Sequence, residues 1–156
     1  MKLRILVFLL LAAFIANGQK VKVMNYSSLD SILSVKSDSI KVVNFWATWC
    51  GPCIAELPYF VKAQESFSNN KVTFTYVSLD FSKEADKVLK MAGKKGLTGN
   101  LYLLKDDPNY YVRKLSSYWE GQIPITLIVK PDGDYIFRFE PFENYEQLSS
   151  FIIQNL

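Results

Sequence analysis

The 156-residue sequence contains no histidine. That absence removes Ser-His-Asp and Cys-His arrangements as sources of a nucleophile. It also removes the common zinc sites, because the chain has only two cysteines and cannot assemble Cys₄ or Cys₂His₂. An iron–sulfur cluster would need two chains to pool their thiols. A c-type haem attachment motif is excluded because the second cysteine is followed by Ile54. Strong charge of either sign is missing as well: 18 Lys and Arg stand against 15 Asp and Glu. There is therefore no electrostatic footprint for nucleic acid.

Long apolar runs are scarce too. The longest, Ile5–Ala16, has twelve residues, short of the roughly 20 that a membrane-spanning helix needs. It follows Lys2 and Arg4, ends on the small residue Ala16 and is followed two residues later by Gly18. This pattern predicts a signal peptide over residues 1–18 and a mature domain over 19–156. The alternative is a retained anchor, which would bring the protein to a membrane. Without the leader the balance is 16 basic against 15 acidic residues, or +1. The absence of cysteine at the cut argues against a lipidated N-terminus.

What the chain has is a hydrophobic content of 49% and an aromatic content of 15%, enough to build the core of one domain. The two cysteines stand in Val42-Val43-Asn44-Phe45-Trp46-Ala47-Thr48-Trp49-Cys50-Gly51-Pro52-Cys53. The apolar run reads as a buried strand, and Gly51-Pro52 can open a helix. Cys50 then sits at a helix N-terminus, where unpaired N–H groups and the helix dipole favour a thiolate. Two sulfurs spaced this way can exchange a disulfide. Cys50, nearer the helix end, attacks, and Cys53 resolves the mixed disulfide. Gly51 and Pro52 add no charge, so the Cys50 thiolate is only moderately stabilised, which suits a reductant. A structural disulfide and half a metal site are the competing uses of a C-x-x-C pair.

Periodicity places strands at 21–23, 40–46, 71–79, 125–130 and 135–139, with a short one at 101–104. Helices are expected from Ser27 or Ser28 to Val35, from Cys50 to about Phe67 with a kink at Pro58, over 82–94, from Asp107 to about Ser116, and from Asn144 onward. The inner stripe of the second helix reads as Ile54, Leu57, Phe60, Val61 and Ala63. Strands separated by helices favour parallel pairing, while Pro131-Asp132-Gly133-Asp134 turns a closing antiparallel hairpin. The sum is a single α/β domain with a mixed central sheet and helices on both faces.

With these motifs in order, the chain resembles the thioredoxin superfamily, and within it the TlpA/ResA-like extracytoplasmic branch. The resemblance spans about residues 21–156. It rests on Phe45–Cys53, on Glu56 and Pro58 in the following helix, and on Ile123-Pro124-Ile125-Thr126-Leu127-Ile128-Val129 followed by Pro131-Asp132-Gly133. It implies a thioredoxin-like fold with an insertion before the cis-proline strand, Pro124 as that cis-proline, and Cys50 and Cys53 as attacking and resolving thiols. A proline leaves no N–H at its own position, so the Ile123 backbone is free to pair with an extended target segment. Trp49, Gly51, Pro52 and Ile123 would form the surface that meets the target.

Resolution requires Cys53 to lose a proton, and a buried carboxylate can take it. Cytosolic thioredoxins carry an aspartate where this chain has Asn44, which cannot titrate. In the resembling branch an acidic residue after the next strand often serves instead. Here that points to Asp80, with Glu56 as its rival; Asp80 also reads equally well as a strand-end or capping residue. Trp46 reads as core. Tyr118-Trp119 reads either as groove lining or as core, and Lys83, Lys87, Lys90, Lys94 and Lys95 as a solvated face.

The resulting expectation is a thiol–disulfide oxidoreductase that reduces protein disulfides in the periplasm. It needs no bound cofactor or metal, because the sulfurs hold the electrons. A membrane thiol donor would recharge it. An oxidase or isomerase uses the same site in another direction. A thiol peroxidase would place its cysteine in a different motif, and a non-catalytic binding module would show no exchange.

Overall fold

The run Ile40–Trp46 forms the central strand of a six-stranded sheet, and six of its seven residues are buried. The computed structural model describes residues 19–69 and 71–156; the leader expected over residues 1–18 lies outside them. Among the described residues no helix is long and apolar enough to cross a membrane.

In chain order the elements are β1 (Lys22–Met24), α1 (Tyr26–Ser34), β2 (Ile40–Trp46), α2 (Gly51–Ser66), β3 (Val72–Ser78), α3 (Ala85–Lys95), β4 (Asn100–Leu104), α4 (Pro108–Leu115), β5 (Ile125–Val129), β6 (Tyr135–Arg138) and α5 (Tyr145–Ile153). A 3₁₀ turn over Ser82–Glu84 leads into α3. The strand order is β1-β4-β3-β2-β5-β6. The first four strands are mutually parallel. β5 runs antiparallel to β2, although α4 precedes it, and β6 runs antiparallel to β5. The antiparallel part therefore begins one strand earlier than the hairpin alone predicts.

Alternation along β2 divides the core in two. Ile40, Val42 and Trp46 face Leu57, Phe60 and Ala63 of α2, Val88 and Ala92 of α3, and Leu148 and Ile152 of α5. Val43 and Phe45 face Leu29 and Leu33 of α1 and Tyr111 and Leu115 of α4. Helices thus cover both faces, as the pattern of the sequence requires.

Two local expectations change. The cap of α1 is Asn25, whose side chain accepts from the Ser28 N–H at 2.9 Å, not Ser27 or Ser28. The earlier start buries Tyr26 against the Tyr111 ring, with centroids 6.3 Å apart. α2 keeps the extent read from the sequence, with Pro58 inside it on the exposed side where the missing N–H is least costly. The buried stripe of α2 is Cys53, Glu56, Leu57, Phe60 and Ala63, while Ile54 and Val61 are only half-buried. Residues 97–120 contribute β4 and α4. Gly96 ends α3 at φ 78°, and Gly99 passes so near β3 that a Cβ there would lie 2.5 Å from the Phe74 carbonyl oxygen.

Candidate redox site

The site forms where the carboxyl end of β2 meets the amino end of α2. After Trp46 the chain turns, with the Cys50 N–H donating to the Ala47 carbonyl at 3.1 Å, and Cys50 becomes the N-cap of α2. Pro52 occupies the first turn of the helix, where no N–H is required. The two sulfurs are joined as a Cys50–Cys53 disulfide. Cys50 is 6% exposed and Cys53 is fully buried. The Cys53 backbone N–H points at Cys50 Sγ from 3.2 Å. When the pair is reduced, that N–H and the helix end are placed to favour negative charge on Cys50.

On the opposite side, the loop between α4 and β5 brings the Ile123 carbonyl oxygen to 3.7 Å from Cys50 Sγ. The Ile123–Pro124 peptide bond is cis. Trp119 holds this loop from below. It is buried against Phe45 and Tyr111, and its indole N–H donates to the Gln122 carbonyl at 2.7 Å. Tyr118 instead projects into solvent. Trp46 is fully buried in the core, whereas Trp49, one residue before the disulfide, is 63% exposed. Trp49 forms one lip of a groove of ≈ 560 Å³ whose other apolar walls are Leu79, Phe81, Leu104 and Tyr111.

The two carboxylates singled out by the sequence occupy different places. Asp80 follows β3 and is ringed by donors. The Thr48 N–H donates to its Oδ2 at 2.9 Å, the Thr48 hydroxyl to its Oδ1 at 2.5 Å, and the Ser78 hydroxyl to its Oδ2 at 2.8 Å. It therefore ties the turn before Cys50 to the end of the neighbouring strand. Glu56 lies one helical turn after Cys53 on the buried stripe of α2, so their side chains share a face. Its Oε1 accepts from Asn44 Nδ2 at 2.8 Å and its Oε2 from the Phe142 N–H at 2.9 Å. Burial pushes its pKa up from 4.5 to about 7, against the opposing pull of those two donors and of Arg138.

Asn44, Thr126, Thr48 and Arg138 were not singled out from the sequence as partners of these carboxylates. Asn44 Nδ2 also donates to Thr126 Oγ1 at 3.2 Å, and the two residues are directly opposed in the β2–β5 register. The available signal was a polar residue at an inward position of each apolar strand: Asn44 between Val42 and Trp46, and Thr126 two before Ile128. Among the described residues no group of three or more His, Cys, Asp or Glu side chains is placed to hold a metal.

Residues 14–135 match the model of the AhpC/TSA family. The chain is 34% identical over 93 residues to a thiol-disulfide oxidoreductase ResA of Oceanobacillus iheyensis, a match covering 60% of this chain and 45% of that protein. It is 35% identical over 66 residues to a thioredoxin of Coprinus comatus, covering 42% of this chain and 62% of that one. Each match thus covers less than two thirds of these relatives' own length. A thiol:disulfide interchange protein of the thioredoxin family from Chlorobium tepidum superposes with a TM-score of 0.62 at 20% identity, covering 81% of this chain and 83% of that one. The strand order, the helix-capping disulfide and the family match agree: the chain belongs to the AhpC/TSA family and has a thioredoxin-like fold.

Proposed function

We propose that this protein is a thiol–disulfide oxidoreductase that reduces disulfides in other proteins. The observation that carries the reading is the pair of unequal sulfurs, with Cys50 at the rim of the site as N-cap of α2 and Cys53 sealed beneath it. The Cys50 thiolate attacks one sulfur of a target disulfide. That bond breaks, a Cys50–target disulfide forms, and the other target sulfur leaves as a thiolate and is protonated. Cys53 passes its proton to Glu56 and attacks Cys50 Sγ. The Cys50–Cys53 bond forms, the second target sulfur leaves and takes up a proton, and two electrons have moved from the dithiol to the target.

Glu56 suits the proton step better than Asp80. It shares a helix face with Cys53, and a pKa of about 7 lets it accept and release a proton near neutrality. Asp80 already serves three donors and acts as the anchor of the Cys50 turn. The half-buried Ile123 at the loop and the Trp49 groove offer the target segment a backbone edge and an apolar wall, and Gly51 and Pro52 are exposed beside them. The basic-then-apolar pattern at residues 1–18 supports work in the periplasm or an equivalent exported compartment, where a membrane thiol donor would recharge the pair.

Reduction of insulin disulfides by the reduced protein tests the reading. Wild type should be active and Cys50→Ser inactive; equal rates in both would defeat it. Equilibration with glutathione tests direction. A potential as oxidising as about −120 mV would make the protein an oxidant instead.

A further inference from the structure

Glu56 is held by Asn44 on one oxygen and by the Phe142 N–H on the other. The partners on the sheet side belong to one row. Asn44 on β2 is opposite Thr126 on β5, and Thr126 is opposite Arg138 on β6. Residues directly opposed in a sheet point to the same face, so Arg138 lies on the face that α2 and α5 cover. Its guanidinium stacks on the Phe142 ring, 4.6 Å from the centroid, and its Nη2 donates to the Pro141 carbonyl at 3.4 Å. Arg138 Nε is buried without a hydrogen-bond partner among the described residues, and Arg138 makes no ion pair among them. A guanidinium is charged at any working pH, so this half-buried cation has no contacting carboxylate to neutralise it.

We infer that Arg138 is the positioning residue of the proton acceptor: it clamps the Pro141–Phe142 segment that holds Glu56 Oε2 and keeps the Glu56 carboxylate accessible at neutral pH. The inference rests on the reading of Glu56 as acceptor for Cys53. The groups around Glu56 leave Arg138 as the charge that matters. From α2 the titratable neighbours are Cys53 and Tyr59, three residues to either side; from β2 and β5 come Asn44 and Thr126, which do not titrate. α5 contributes the apolar Leu148 and Ile152, and Glu140 and Glu143 of the intervening loop are exposed. Arg138 opposes the effect of burial on Glu56, so its loss should shift Glu56 toward the protonated form.

The test compares Arg138→Met, Arg138→Lys and Glu56→Gln, each folded and oxidised at the start. The midpoint of the Glu56 carboxyl is followed by ¹³C NMR of labelled protein. The rate at which Cys53 resolves a mixed disulfide with a small aromatic thiol is followed against pH. In Arg138→Met both midpoints should move to higher pH, and resolution at neutral pH should slow about threefold. Arg138→Lys should stay near wild type. Arg138→Met added to Glu56→Gln should cause no further shift of the rate profile. If Glu56→Gln flattens the profile but Arg138→Met leaves the wild-type midpoint in place, the inference fails and the Glu56 reading stands. If Glu56→Gln keeps the wild-type profile, that reading fails and takes the inference with it. If Lys shifts the midpoint as far as Met, packing on Phe142 rather than charge is responsible, and the assignment to charge is overturned.

Discussion

Asp80 and Glu56 are both buried carboxylates beside the same redox site, at 2% and 1% exposure, yet their surroundings differ, and on the proposed function they have opposite tasks. Asp80 meets a backbone N–H and two hydroxyls within two strands' ends and a turn. Glu56 meets one amide, one backbone N–H and an apolar helix face. The first arrangement fixes a loop; the second leaves a proton-binding site that burial has moved toward neutrality. Burial alone therefore does not identify a proton acceptor. On the proposed function, the number and kind of donors, and the face shared with the thiol, favour Glu56.

The largest separation between the two should appear in stability. The folded pKa of Glu56 is raised above 4.5 to about 7. Between those values the folded state holds a proton that the unfolded chain has released. The stability tied to this group is complete below about pH 4.5 and is lost as pH rises through about 7. At roughly 1.36 kcal/mol per unit the loss is on the order of 3 kcal/mol. Urea unfolding of the oxidised protein, in which neither cysteine titrates, should show this decline, and Glu56→Gln should abolish it. A decline of equal size in Glu56→Gln would assign it to another group.

A smaller effect is expected at the anchor. Asp80→Ala leaves three donors without their acceptor and should cost about 2 kcal/mol in the same unfolding experiment. Asp80→Asn keeps one acceptor oxygen and should lie between the two. Neither change should move the pH midpoint of exchange, though both should slow it by loosening the turn that ends at Cys50. A moved midpoint in Asp80→Asn would return the proton to Asp80 and collapse the contrast.

The contrast also marks where the sequence stops being readable. Cys50 and Cys53 are local: a strand running into a C-x-x-C shows them with no knowledge of packing, whereas Pro124 as the cis-proline came from the family resemblance, because an Ile-Pro before a strand reads equally well as an ordinary strand start. The strands and most helices follow from period and caps in the same way. The choice between Asp80 and Glu56 depends on helix phase. An inner stripe drawn through Ile54 and Val61 turns Glu56 toward solvent, whereas the packed stripe runs Cys53–Glu56–Leu57–Phe60. A glutamate on a buried stripe contradicts hydrophobic patterning, so periodicity passes over it. Arg138 is harder still, because its link to Glu56 passes through the register of two antiparallel pairs and a loop that follows them. Pairing with β2 makes β5 antiparallel, and a strand that follows a helix does not announce this.

The most direct test of the account is the pH dependence of one step. The mixed disulfide between Cys50 and a target thiol is formed by rapid mixing, and its resolution by Cys53 is timed from pH 5 to pH 9 in wild type and Glu56→Gln. The account predicts a wild-type rate that rises with a midpoint near pH 7. In the variant that inflection should be absent, and the rate at neutral pH should be lower by on the order of 10²-fold. Superimposable profiles in the two proteins would contradict it.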